Sequence, residues 1–213
     1  MQNRDTIPFY SRTMPKNQNN VRDSILDASD RLLARSGYKR MKVEDIAREA
    51  GIGKGSVYLH FESKEELALA HLDRLIVNIR EHLKQVFESS APASKRLNML
   101  MIDRVMLRFD NVQNFTQSLN ELIATARPSI VKRRKKQVDV EAEMIAALIA
   151  DGQKSGEFGA GDTKQLSKTL VDATDSLLPY SLSAFEKKTR REVKRRAVAV
   201  TELLIDGLRY RRQ

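Results

Sequence analysis

The chain has 213 residues, no cysteine and a formal net charge of +10, and 41% of its residues are hydrophobic. A hydrophobic share of that size excludes global disorder, and the missing thiol excludes disulfides, cysteine nucleophiles and cysteine-held metals. The positive balance suits a polyanionic partner, nucleic acid or membrane surface, and equally a basic protein whose Lys and Arg only solvate helix faces; charge alone does not separate the three.

Residues 1–20 are polar, carry Pro8 and Pro15 and show no apolar period, so they read as a flexible tail without a function of its own, contact of Arg4, Arg12 and Lys16 with a phosphate backbone being the alternative. The tail has no apolar signal-peptide core, and the longest purely apolar run, "MIAALIA", is far too short to span a bilayer. The expectation is a cytoplasmic protein with no membrane partner.

From Asn20 onward the apolar spacing is helical. Ile25, Ser29, Leu32 and Leu33 share one face of a first helix, which Gly37 should stop. Short helices are predicted over Val43 to Ala50, closed by Gly51, and over Lys54 to His60. "SKEE" then supplies a capping box, Ser63 with Glu66, and opens a long helix bearing Leu72, Ile76, Ile79, Leu83 and Val86. After the "SSAPAS" break at 89–94, one helix carries Leu97, Met101 and Val105, with Phe109 next in the stripe. Another spans about 115–126, broken before Pro128, and a longer one runs from about 129 to 154 into "GQKSGEFGAGD". Asp162 and Gln165 open a helix holding Leu166, Leu170, Ala173 and Leu177, which Pro179 should kink. The last helix, about Thr189 to Tyr210, carries Val193, Ala197, Val200, Leu204 and Leu208. No β alternation and no repeat is present. The fold class is all-α: a small N-terminal three-helix domain at 21–66, joined by a long helix to a larger bundle within 67–213.

The stretch "GIGKGSVYLHFESKEEL", residues 51–67, places glycines around a lysine and a serine, as phosphate-binding loops do. It fails the P-loop pattern: with Gly53 and Lys54 as the Gly-Lys pair, the upstream glycine falls on Arg48, and Gly55 follows the lysine instead of Ser or Thr. The dinucleotide fingerprint fails too, with Ser56 at its third glycine and no βαβ unit around it. His60, His71 and His82 recur every eleven residues, but eleven residues of helix rise about 16 Å, so His71 and His82 cannot share an ion. The pairs Glu65-Glu66 and Glu44-Asp45 sit at helix starts, where they favour the dipole. No catalytic residue, cofactor or metal site emerges, and the chain reads as a protein that is not an enzyme.

Two short helices around a glycine turn form a helix-turn-helix corner, with Ala47 small at the crossing and Ile46, Ala50, Ile52 and Val57 as its apolar contacts. Residues 25–70 resemble the DNA-binding region of the TetR/AcrR-type bacterial transcriptional regulators. The matching elements are "GY" at 37–38, "DIAREAGI" at 45–52, "KGSVYLHF" at 54–61 and "SKEEL" at 63–67. "GQKSGEFGAGD" also resembles the loop before that family's last two helices. The likeness covers the N-terminal third in its motifs and the rest in helix order.

The resemblance implies that the third helix enters the major groove while the second lies across the backbone. Lys54, Gly55 and Ser56 match the start of the recognition helix, Tyr58 and His60 match positions holding phosphate, and Lys64 matches a phosphate clamp. The sequence departs from the pattern at the second helix, where Met41-Lys42 replace the usual Ser or Thr cap: either Lys42 contacts phosphate instead, or that helix starts less firmly. Gly53 stands where a serine often caps the recognition helix.

For the rest, the resemblance implies a homodimer on double-stranded operator DNA, its last two helices pairing with those of the partner copy. Leu166, Leu170, Ala173 and Leu177, with Val200, Leu204 and Leu208, supply stripes of suitable period that also suit intrachain core. It further implies an effector pocket among the middle helices. Met99, Met101, Met106, Phe109, Phe115 and Tyr180 would make an apolar wall for a hydrophobic or aromatic ligand, and they too suit plain core. The basic runs "KRRKK" at 132–136 and "KKTRREVKRR" at 187–196 read mainly as solvated helix surface, with repulsion or partner choice near the dimer interface as the alternative for the second. The function so implied is a ligand-responsive repressor released from its operator. An activator of the same fold, a DNA-architectural protein and a helical carrier or enzyme with an incidental basic corner stay open at this point.

Overall fold

A computed structural model describes residues 21–113, 116–178 and 189–209; the tail at 1–20, Phe115, Pro179 and Tyr180 lie outside them. Among the described residues there are eight helices and no strand: α1 (Val21–Arg40), α2 (Val43–Ala50), α3 (Lys54–His60), α4 (Lys64–Phe87), α5 (Ala93–Gln113), α6 (Thr116–Lys154), α7 (Thr163–Asp175) and α8 (Arg190–Arg209).

Their boundaries have local causes. Gly37 interrupts α1 with φ 77° and ψ 165°, and the element closes at Arg40. Gly51 ends α2 in the left-handed region, φ 72° and ψ 29°, where a residue with a Cβ is strained by roughly 1–2 kcal/mol. The Ile52 N–H then donates to the Ala47 carbonyl at 2.9 Å and closes the turn. Ser63 Oγ accepts from the Glu66 N–H at 3.0 Å, one half of the capping box. The other half shifts by one residue: Glu66 Oε2 accepts from the Glu62 N–H, at 2.6 Å, instead of from Ser63. The two helices expected around Pro128 are one element, α6, bent where Ala126 leaves helical geometry at φ −119° and ψ 25°. Proline has no N–H to give and crowds the carbonyl four residues back, so it bends the helix just upstream of itself. Asp162 caps α7 by accepting from the Lys164 and Gln165 N–H groups at 2.8 and 3.1 Å.

Two compact units result. The first holds the described residues up to Arg74 and those of 112–129; the second holds those of 75–111 and from 130 onward. The first core gathers Ile25, Leu26, Ala28, Leu32 and Leu33 of α1, Ile46 and Ala47 of α2, Val57 of α3, then Phe61 and Leu67. The second joins α4 (Ile79, Leu83, Val86) to α5 (Leu97, Leu100, Met101), α6 (Ile145, Leu148, Ile149), α7 (Leu166, Leu170, Val171) and α8 (Ile205, Leu208). Leu72 and Ile76, expected on the inward stripe of α4, are only half-buried; the stripe runs through Leu67, His71, Leu75, Ile79 and Leu83 in steps of four. At the end of α6 the Phe158 ring covers Gly152, 2.1 Å from where a Cβ would stand, which only a glycine there permits. No helix of the described residues is long and apolar enough to cross a membrane.

Glu157, in the loop after α6, caps α5. Its carboxylate accepts from the Ala93 and Ser94 N–H groups at 3.0 Å each and from the Ser94 and Ser155 hydroxyls at 2.5 and 2.9 Å. The Ser94 hydroxyl does most to bring its pKa down to about 2, and the loss of solvent opposes this only partly. A carboxyl whose folded pKa lies below its unfolded value stabilises above the unfolded value and loses that contribution as pH falls through the folded one. Glu157→Gln should therefore melt lower near neutral pH and lose less on acidification from about pH 4.5 toward about 2. Circular-dichroism melts across that range check it; parallel curves for the two proteins would remove the cap's role.

Candidate nucleic-acid interface

α3 is held from inside by little. Val57, at 2% exposed, is its buried residue, and Phe61 follows at 2% with the Arg22 guanidinium 4.8 Å over its ring. Lys54, Gly55, Tyr58, Leu59 and His60 are exposed and Ser56 is half-buried. One short helix therefore presents most of its surface outward. Arg31 and Arg35 of α1 both bind Glu49 of α2 at 2.8 Å and tie the corner to the first helix.

The sequence-predicted contact residues divide by what they already touch. Lys54 Nζ lies 2.5 Å from Glu44 Oε1 and 5.9 Å from the Tyr58 ring centroid. Their hydrogen bond raises the Lys54 pKa and lowers that of Glu44, so both stay ionised; exposed pairs of this kind are weak and yield readily to a phosphate. Lys42 is exposed and makes no side-chain capping bond, so the missing Ser or Thr leaves α2 with an uncapped start, eased by Glu44 and Asp45 in its first turn. Gly53 likewise makes no side-chain cap for α3. Lys64 differs. Its Nζ donates to the Lys39 carbonyl at 3.2 Å and sits 4.4 Å over the Tyr38 ring, while Glu121 of α6 accepts from the Lys39 N–H at 2.7 Å. Burial lowers the Lys64 pKa, against the pull of Glu121. Its charge thus serves the chain end of α1 before it serves any phosphate.

α3 also exposes a residue that sequence reasoning missed. Leu59 is 84% exposed, an apolar side chain on the outward face of α3. The signal was present: with Val57 turned inward, the residue two further on points roughly 200° away.

The other predicted residues are dispersed. Met106 and Phe109 are buried in a cluster with Val105, Leu177, Leu178, Val193 and Ala197, and Met101 lies in the main core of the second unit. Met99 is 41% exposed. Leu166, Leu170, Leu177 and Leu208 are buried within the chain, while Ala173, Val200 and Leu204 are half-buried. On α8 the exposed small and apolar stripe is Ala199, Leu203 and Gly207, with Leu203 at 74%. Of the histidines, His71 is buried against Asp30 and His82 faces Asp103 at 3.0 Å. No group of three metal-ligating side chains occurs among the described residues.

Residues 25–71 match the profile "Bacterial regulatory proteins, tetR family". The chain is 35% identical over 154 residues to the HTH-type transcriptional regulator TtgR of Pseudomonas putida, covering 66% of this chain and 71% of that protein. A transcriptional regulator of the TetR/AcrR family from Thermobifida fusca superposes with a TM-score of 0.71 at 23% identity, over 91% of this chain and 100% of that one. The regulator FadR from Bacillus subtilis, in complex with stearoyl-CoA, superposes with a TM-score of 0.63 at 19% identity, over 87% and 98%. The two structural likenesses establish the fold.

Gly55 gives this face a direct test. A Cβ built there meets nothing within 4 Å, so internal packing does not demand glycine. Gly55→Ala should keep the fold and raise its unfolding free energy by up to about 1 kcal/mol through helix propensity. If DNA approaches this face, its affinity should nonetheless fall, because the added methyl fills the open space there. Chemical denaturation and fluorescence anisotropy with DNA flanking the gene measure the two; a stabilised variant with unchanged DNA binding would strip Gly55 of its role.

Proposed function

The chain belongs to the TetR family of bacterial regulatory proteins and is a DNA-binding transcriptional regulator, and from that premise we propose that it acts in the cytoplasm as a homodimeric repressor released from its operator by a small-molecule effector. The observation that carries this reading is the outward face of α3, which a single buried valine holds and which the chain's own core does not use. Residues 21–66 form the reading head and 67–213 receive the effector and the partner copy. In the major groove, Lys54 and Ser56 reach base edges or adjacent phosphates, Tyr58, His60 and Lys42 hold the backbone, and Leu59 suits a thymine methyl. Lys64 joins them through the ammonium donors that the Lys39 carbonyl does not use.

One head reads few base pairs, so two copies must present two heads about 34–36 Å apart. The Ala199, Leu203 and Gly207 stripe supports pairing through α8, since the leucine lies largely in solvent in the single chain. Repression is the economical outcome of operator occupancy, because blocking a promoter needs no surface for polymerase. The bound stearoyl-CoA of the structurally similar FadR supports a small-molecule effector, and Met106 and Phe109 would give it an apolar or aromatic wall. Release then requires that the effector favour the DNA-incompetent state of the dimer.

Binding to DNA flanking the gene, measured against salt, tests the reading. A regulator gives a steep salt slope and a clear preference for one site over random duplex. Equal, weak binding to every duplex would defeat it. Leu59→Ala should lower affinity for the preferred site by about 1–3 kcal/mol while leaving the salt slope unchanged, as expected of a base contact. Leu203→Glu should yield monomers in sedimentation analysis and lose operator affinity together with dimerisation; a variant that stays dimeric would move the interface elsewhere.

A further inference from the structure

The second unit buries a set of charges that neither DNA reading nor dimerisation uses. Arg104 of α5 is fully buried and donates to Glu141 at 2.7 Å, to the Thr174 hydroxyl at 2.8 Å and to Asp175 at 2.6 Å. Arg108, one turn on and 9% exposed, also bonds Glu141 and donates to the Arg104 carbonyl at 2.7 Å. Burial pushes the Glu141 carboxyl up, but Arg108, Arg104 and Gln137 more than reverse this and hold it ionised. Glu141 thus serves both buried guanidinium groups, and Asp175 gives Arg104 a second carboxylate. Arg80 of α4 finds no carboxylate among the described residues: its Nη2 donates at 3.1 Å to the amide oxygen of Gln137, and its Nε–H is buried with no partner among them.

We propose that Arg80, Arg108 and Gln137 form the recognition site for the carboxylate of a small amphipathic acid, an alkyl or aryl carboxylic acid. This deepens, and rests on, the reading that the second unit receives the effector. Gln137 Oε1 now stands where one oxygen of a carboxylate belongs, on one prong of the Arg80 fork, while the Nε–H prong meets no acceptor among the described residues. A carboxylate displacing that amide satisfies both prongs with charge-assisted bonds, which a neutral amide cannot do. It also supplies negative charge to Arg80, whose guanidinium meets an amide and no carboxylate among the described residues. The dianion of a phosphate is disfavoured, because ionised Glu141 already accepts from Arg108 and from Gln137, the latter at 2.6 Å. The body of the ligand is apolar, since Ile76 and Leu83 flank Arg80 by one helical turn and Val105 lies one turn from Arg108, half-buried or buried in each case.

The test uses the full chain and three eight-carbon probes, octanoate, 1-octanol and octyl phosphate, with 4-phenylbutyrate as the aryl acid. Calorimetry should show at least one of the two acids binding saturably, about tenfold or more tighter than 1-octanol and tighter than octyl phosphate. Arg80→Gln should bring the acid down to the level of the alcohol. A purely structural role for the network moves neither preference. The alcohol equalling the acids, octyl phosphate exceeding them, neither acid binding, or Arg80→Gln leaving acid affinity unchanged would each overturn the proposal. Operator release, measured alongside, separates the two readings. Acid binding without release leaves the site and removes its effector role; release by the alcohol as readily as by the acids leaves the effector reading and removes the carboxylate site.

Discussion

A guanidinium group with no exposure to water must be met by acceptors on all sides, and Arg104 takes most of its acceptors from other helices. Glu141 comes from α6, while Thr174 and Asp175 come from the last turn of α7. Moving such a cation out of water costs roughly several kcal/mol, and its partners repay that only while their geometry holds. A slide or rotation of α5 against α6 or α7 would strand the charge. Apolar packing alone tolerates several registers among helices of similar volume. The buried cation removes that freedom, and the clusters around it, from Leu97 to Leu170 and from Val105 to Ala197, fill the space that one register leaves.

The first unit solves the same problem with opposite signs. Asp30, 5% exposed on α1, receives His71 and Arg74 of α4, and Arg74 also reaches Asp27 at 2.7 Å. Those contacts fasten α1 to α4 and leave α2 and α3 to be held mainly by apolar side chains and by the Glu49 pairs. The consequence falls on function. A helix fixed by one valine and a following phenylalanine carries an outward surface whose residues can be chosen for a groove without disturbing the core. Gly55 and Leu59 are poor choices for an isolated solvent-facing helix, and both become intelligible once something else is to cover them.

Helix order, the stops at Gly51 and before Ala93, the caps at Ser63 and Asp162 and the family were legible because each is written in local sequence. Caps and turns depend on residues within one turn, and the helix-turn-helix motif is compact. What was not legible depends on which face of a helix turns inward. Arg104 with Arg108, and Gln137 with Glu141, are spaced four apart, as solvent-facing residues of a helix commonly are; only the packing of four helices makes their charges interior. Leu72 and Ile76 failed for the same reason, since a stripe in steps of four from Leu67 and one in steps of three to four from Leu72 share Ile79 and Leu83. Lys64 matched a motif position, but no spacing in the sequence discloses that its ammonium meets the Lys39 carbonyl and the Tyr38 ring.

The last helix carries this ambiguity to its end. Val193, Ala197, Thr201, Ile205 and Leu208 are consumed inside the chain, so any second face must come from what remains. In the N-terminal half that remainder includes Arg190, Arg191, Lys194, Arg195 and Arg196, all exposed; in the C-terminal half it includes Ala199, Leu203 and Gly207. Two copies approaching through α8 would bring like charges together along the first half and bury a leucine along the second. For such a pairing, repulsion and burial would both favour a contact in the C-terminal half. In such a pairing the exposed basic residues of α8 would limit which part of the helix two copies can share.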